Sequence, residues 1–188
     1  VLKLIALPLF VGLSMLATAQ ESEPVTESAF QIDSVHSTAI FRTHHRGAGM
    51  FYGRFNDLTG TVRLDDGMPS FDVSIDINSV DTGNTKLDEH LRSPDFFNVV
   101  EFPAMTFKSS SSKLVDENKY EVIGEIALHG VAKPLTVHMV KTGQVTGRRG
   151  EMIGFETEFN ITRSDFGMTY GVESGALGDE VKIHKSAL

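Results

Sequence analysis

FDVSIDINSV, residues 71 to 80, decides the fold. Phe71, Val73, Ile75 and Ile77 alternate with Asp72, Ser74, Asp76 and Asn78. A strict period of two is the pattern of a strand with one buried face and one wet face. The same rhythm recurs on either side of it. Upstream it runs from His36 to His45 and from Met50 to Leu64, the latter interrupted by Gly53 and Gly60. Downstream it runs over Ala104 to Val115, Tyr120 to His129, Leu135 to Val145 and Met152 to Thr162, and Val181, Ile183 and the closing residues supply an eighth run. Turn chemistry separates the runs, as in Asp65-Asp66-Gly67, Asp116-Glu117-Asn118 and Gly147-Arg148-Arg149-Gly150.

No run is apolar on both faces, which argues against a parallel sheet. The expectation is an all-β, eight-stranded antiparallel barrel, since closure removes exposed strand edges. Eight strands enclose enough room for packed side chains or one small ligand. Strands of this length, tilted near 45°, give a barrel roughly 25 Å tall, deep enough for an extended lipid-like chain. One segment departs from the rhythm. In TGNTKLDEHLRSPDFF, residues 82 to 97, Asn84 or Thr85 can cap a helix, Asp88 and Glu89 favour its first turns, Leu87 and Leu91 share a face, and Ser93-Pro94 stops it. A short helix is therefore expected between the third and fourth strands.

The chain opens VLKLIALPLFVGLSMLATAQ, with Lys3, an apolar stretch from Leu4 to Leu16, and then Ala17-Thr18-Ala19. That order is the order of a secretory signal peptide cleaved after Ala19, and the apolar run is shorter than the roughly 20 residues a spanning helix needs. The reading is residues 1–19 as signal peptide, 20–28 as a polar leader and 29–188 as one domain, periplasmic or secreted, with no stable membrane insertion. There is no cysteine, so such a domain must stand without disulfides, and its length suffices for a sizeable core. A net charge of −8 disfavours nucleic acid and anionic membrane surfaces, which are bound chiefly through Lys and Arg. Thirteen Phe, seven Met and no Trp make an adaptable apolar interior, which serves a solid core as well as a ligand cavity.

Enzymatic signatures are sparse. The chain has no Cys nucleophile and no GxSxG, and the glycines of GAGMFYG (47 to 53) lead into a strand without GxGxxG spacing. Asp165-Phe166-Gly167 imitates the metal-binding tripeptide of a protein kinase but lacks the glycine-rich loop, strand lysine and catalytic loop that would make it one. It reads as a turn, with Phe166 and Met168 at the lip of the barrel. Seven histidines invite a metal reading, yet there is no HExxH, and His44 and His45, adjacent on a strand, must face opposite ways. They are taken as structural or surface groups, with His45 the best placed to touch a ligand. No catalytic residue, metal or cofactor is assigned.

Four segments, in order, carry a family likeness: VHSTAIFRTHHRGAGMFYGRF (35 to 55), SVDTGNTKLDEHLRSPDFFNVVEFPAMTFKS (79 to 109), IGEIALHGVAKPLTV (123 to 137), and ITRSDFGMTYG (161 to 171) followed by LGDEVKI (177 to 183). Together they resemble the YceI family, exported lipocalin-like barrels regarded as polyisoprenoid-binding proteins. The resemblance implies an elongated apolar cavity that holds an isoprenoid or quinone-like lipid by burying its tail. Alternation and the matched positions together place Phe41, Thr43 and His45 on one inner strand face and Phe51 and Phe55 on the next. They place Ile75 and Ile77, Met105 and Phe107, and Phe155 and Phe159 inside as well, with Leu91, Phe96 and Phe97 over one end. The function implied is non-catalytic binding, transport or sequestration. The alternatives are an enzyme acting on a prenyl-tailed lipid and a solid-core structural barrel, and a homodimer is compatible with either.

Overall fold

The computed structural model describes residues 28–148 and 150–187. The expected signal peptide and all but the last residue of the expected leader lie outside the described residues. Among the described residues eleven antiparallel strands, not eight, form one curled sheet: β1 (Ser28–Gln31), β2 (Thr38–His45), β3 (Gly49–Phe55), β4 (Leu58–Asp65), β5 (Met68–Asp76), β6 (Val80–Asp81), β7 (Ala104–Asp116), β8 (Lys119–Leu128), β9 (Val131–Gly147), β10 (Gly150–Thr162) and β11 (Leu177–Ala187). The order across the sheet is β1-β4-β5-β7-β8-β9-β10-β11-β2-β3-β6.

The larger count has a local cause. Two of the eight expected runs break at one corner, so that Met50–Leu64 becomes β3 and β4 while Phe71–Val80 becomes β5 and β6. On the first of these, the chain kinks through Asn56 and Asp57. On the second, a 3-10 turn over Ile77–Ser79 follows Asp76, whose carboxylate accepts a hydrogen bond from the Asn78 N–H. The Ser79 hydroxyl oxygen accepts from the backbone N–H groups of Asn56 and Asp57 at 3.1 and 3.0 Å, standing in for the ladder bonds lost there. The remaining strand, β1, is four residues long and pairs with β4, Phe30 lying opposite Val62. The sheet is therefore a curled half-barrel edged by β1 and β6, rather than a cylinder of eight uninterrupted strands.

The helix forms as its sequence directs. α1 (Thr85–Arg92) is capped by Asn84, whose side-chain oxygen accepts from the Leu87 N–H at 3.2 Å. Asp88 in the first turn accepts from both the N–H and the hydroxyl of Thr82. Arg92 donates to the carbonyls of Asn78 and Val80 at 3.0 Å each, which ties the helix to the corner. No helix among the described residues is long and apolar enough to cross a membrane.

Inside the curl, two apolar clusters divide the space. The one beneath α1 contains Phe41, Phe55, Leu58, Ile77, Leu91, Met105, Leu128 and Met168. The far one contains Val62, Phe71, Val73, Tyr120, Val122, Val137, Met139, Ile153 and Phe155, with the Phe71 and Phe155 rings meeting edge-on at 5.2 Å. The far half is filled by side chains, and the half beneath the helix is not.

Candidate functional site

A cavity of about 590 Å³ opens between the curled sheet and α1. Its wall begins on β2, where alternation turns Phe41, Thr43 and His45 inward. Neighbouring β3 contributes Phe51 and Phe55, and the rings of Phe51 and Phe55 lie 6.2 and 5.4 Å from that of Phe41. This aromatic strip depends on Gly53, because a Cβ built there would stand 2.3 Å from the Phe41 ring, so only glycine lets the ring lie flat across β3. Leu91 from α1 and Phe96 and Phe97 from its exit cover the strip, Phe97 meeting Phe55 at 5.5 Å. Met105, Leu128, Ile161, Met168 and Ile183 form the inner wall.

The polar groups of this cavity are few and mostly committed to the backbone. Thr43 Oγ1 lies 3.1 and 2.9 Å from the carbonyls of Gly178 and Glu180, where the β11 register is irregular. Arg163 is only 5% exposed, and its guanidinium donates to the carbonyls of Gly178, Met168 and Tyr170 at 2.8 Å each and of Leu177 at 3.4 Å. Burial pulls its pKa below the usual arginine range, opposed by the attraction of Asp179. At the mouth His45 and Arg46 are exposed, and the rings of His90, Phe96 and Tyr170 form a cluster with centroids 5.0 to 5.3 Å apart. His90 Nε2 also lies 3.1 Å from an Asp95 carboxylate oxygen.

Of the residues placed inside by sequence, Phe41, Thr43, His45, Phe51, Phe55, Leu91, Phe96, Phe97, Met105 and Met168 surround this one cavity. Ile75, Phe107 and Phe159 instead line a second, inner cavity of about 40 Å³, and Ile77 is buried in the corner turn. Phe155 belongs to the far cluster. Phe166 is not at a lip: it is 3% exposed, with Lys133 Nζ 5.7 Å from its ring centre. Met168 is likewise buried, behind the mouth. The depth expected of the barrel is therefore not all open to a ligand, because the far cluster closes the lower half.

The turn after β10 settles the kinase-like tripeptide. Arg163–Phe166 form a 3-10 turn ended by Gly167 at φ 79°, a left-handed backbone that glycine adopts without strain. The Asp165 carboxylate pairs with Lys133 Nζ at 3.2 Å on the outside. Nδ1 of His129 lies 2.9 Å from the Phe166 carbonyl and so donates to it. Among the described residues no group of three or more His, Asp or Glu is arranged to hold a metal ion.

The sequence reading missed Arg163, Ile161, Leu128, Ile183, His90 and Tyr170 as cavity residues. Parity could have found the first four. Ile161 and Arg163 continue the inward series of Phe155 and Phe159 along β10, Leu128 continues Val122 and Ile126, and Ile183 follows Val181. Tyr170 sits in a loop without periodicity, and nothing in the local pattern marks it.

Residues 30–187 match the YceI-like domain family. A UPF0312 protein of Yersinia pestis is 37% identical over 179 residues, covering 92% of each chain, and one of Yersinia enterocolitica is 36% identical over the same span. Among solved structures, Burkholderia cenocepacia BcnA superposes with a TM-score of 0.75 at 23% identity, covering 83% of this chain and 98% of that one. A Campylobacter jejuni YceI protein gives a TM-score of 0.65 at 29% identity, covering 72% and 84%. A polyisoprenoid-binding domain from Saccharophagus degradans gives 0.65 at 16% identity, covering 87% and 97%.

Proposed function

Since the chain belongs to the YceI-like family, we propose that it is a non-catalytic carrier or sequestering protein for an isoprenoid or other long-chain amphiphile, such as a polyprenyl phosphate or a quinone-like lipid. The observation that carries this reading is the apolar cavity of about 590 Å³ beneath α1. That volume lies within the range of small-molecule sites, and burial of a hydrocarbon chain there is favourable by about 0.8 kcal/mol per CH₂ without directed chemistry. Its most buried polar groups, Thr43 and Arg163, are bonded to backbone carbonyls, which supports binding over catalysis. The tail would lie along Phe41, Phe55 and Met105, and the polar end would stay near His45, Arg46 and Tyr170. Because the far half is filled, the protein would bury part of a long chain and leave the rest at the mouth. The opening residues 1–19, read as a signal peptide, would place this carrier outside the cytoplasm.

Protein purified without detergent, extracted with organic solvent and analysed by mass spectrometry should yield a prenyl-tailed or long-chain compound in near one-to-one amount. Protein that is empty and takes up neither polyprenols nor quinones would overturn the reading.

A further inference from the structure

The inward alternation of β11 does not stop at the main cavity. Val181, Ile183 and Lys185 share one face, and Lys185 stands opposite Ala39 on β2 and Thr157 on β10, which are 1% and 4% exposed. Lys185 thus enters the inner cavity, whose walls include Ile75, Phe107, Val137 and Phe159. It is the one charged residue lining that cavity, and its amine has no hydrogen-bond or ion-pair partner among the described residues. Thr157, the nearest strand partner with a hydroxyl, donates it to the His138 carbonyl at 2.8 Å. Burial pushes the amine pKa down to about 8. Lys185 as a residue is half-buried, with its amine in apolar surroundings, and a lysine so placed without a carboxylate keeps a useful fraction of neutral, nucleophilic amine near neutral pH. Met105 and Ile183 line both cavities, so these two side chains stand between the main cavity and the amine. Methionine, unbranched and polarisable, yields such a position readily.

We propose that Lys185 is a covalent capture site for a long-chain or prenyl aldehyde that enters carbonyl end first through the main cavity. The inference rests on the reading of that cavity as a lipid site. The neutral Nζ adds its lone pair to the carbonyl carbon, and a proton passes from nitrogen to oxygen to give a carbinolamine. Water then leaves as the C=N bond forms, so the imine needs neither oxidant nor reductant. The apolar walls around the amine slow its hydrolysis.

Retinol, retinal and retinoic acid share one prenyl-derived skeleton and differ only at the end group, so they separate the steps. With the full protein, retinal followed by cyanoborohydride should give a retinyl adduct found by peptide mass spectrometry chiefly on Lys185. Lys185→Met and Lys185→Arg should both lose it while still binding retinol, the second variant retaining the charge should the first fold poorly. Retinol binding with no adduct, or with adduct spread over surface lysines, overturns the capture site and leaves the lipid reading standing. Retinoic acid binding that requires Lys185, without a retinal adduct, also overturns it, in favour of simple ion pairing. Failure of all three to bind overturns the lipid reading and the capture site together.

Discussion

Two cations face inward, and their surroundings give them opposite roles. Arg163 spends its guanidinium on four backbone carbonyls, and so pins the segment from Met168 to Gly178 against the end of β10. Asp179 does not cap it directly, being held by the Ser164 N–H and hydroxyl at 2.9 and 2.7 Å. Arg163→Met would strand those carbonyls beside apolar side chains, and loss of buried hydrogen bonds of this kind costs about 2–4 kcal/mol. The urea midpoint should fall accordingly with an unchanged slope, and tail affinity should fall with it, because Met168, Tyr170 and Leu177 all line the cavity. Arg163→Lys should recover only a fraction, since one ammonium cannot span carbonyls on both sides of the turn. Loss of affinity with the midpoint intact would instead make Arg163 a ligand contact. Lys185 has no such carbonyls and stays unpartnered.

The element that covers the site is α1, two turns of helix that by themselves would be marginal. It is held by the Asn84 cap, by Asp88 on Thr82 and by Arg92 on the corner carbonyls, while Leu87, His90 and Leu91 face the cavity. Asn84→Ala removes the cap at about 1 kcal/mol. Stopped-flow release of a bound fluorescent prenyl analogue should therefore quicken about fivefold, with the near-UV signal of Tyr120 in the far cluster unchanged. An unchanged release rate would mean that the ligand leaves by another route. The helix, its cap and its stop were all legible, because each depends on neighbours in sequence. The corner was misread, although its mark is there: inward parity runs Phe51, Phe55 and then shifts to Leu58, Val62, just as Ile77 shifts to Val80. Both strands slip phase at the same level, which an unbroken strand cannot do. The cavity itself was not legible, because Phe and Met fill a core and line a hollow equally well, and only the pairing of strands decides which.

On the scale of the whole molecule, the filled half and the hollow half meet at Lys185, and this bears on stability against pH. Carboxylates at and near the surface act at the acid end. Asp81 is lowered to about 2 by the Gly83 N–H, Arg54 and Asn56, while Asp33, Glu121, Glu158 and Asp179 are lowered chiefly by side-chain hydrogen bonds from His36, Lys113, Lys182 and Ser164. Each binds protons less readily folded than unfolded, so its contribution is present above about pH 4 and is lost as pH falls toward 2. High salt should blunt that loss, since these pairs face water. Lys185 acts at the alkaline end with the same slope but from the opposite cause, since the fold disfavours its charged form. Its amine titrates near 8 when folded and near 10.4 when unfolded, so between these values the unfolded chain holds the extra proton and stability rises with pH. Below pH 8 the folded protein carries an ammonium in an apolar cavity, and Lys185→Met relieves it. The variant should therefore have the higher urea midpoint at pH 7, and the gap should close as pH is raised from about 8 to about 10. A gap that stays constant over that span would show that the ammonium reaches water, and the amine would then lack the desolvation that makes it a nucleophile.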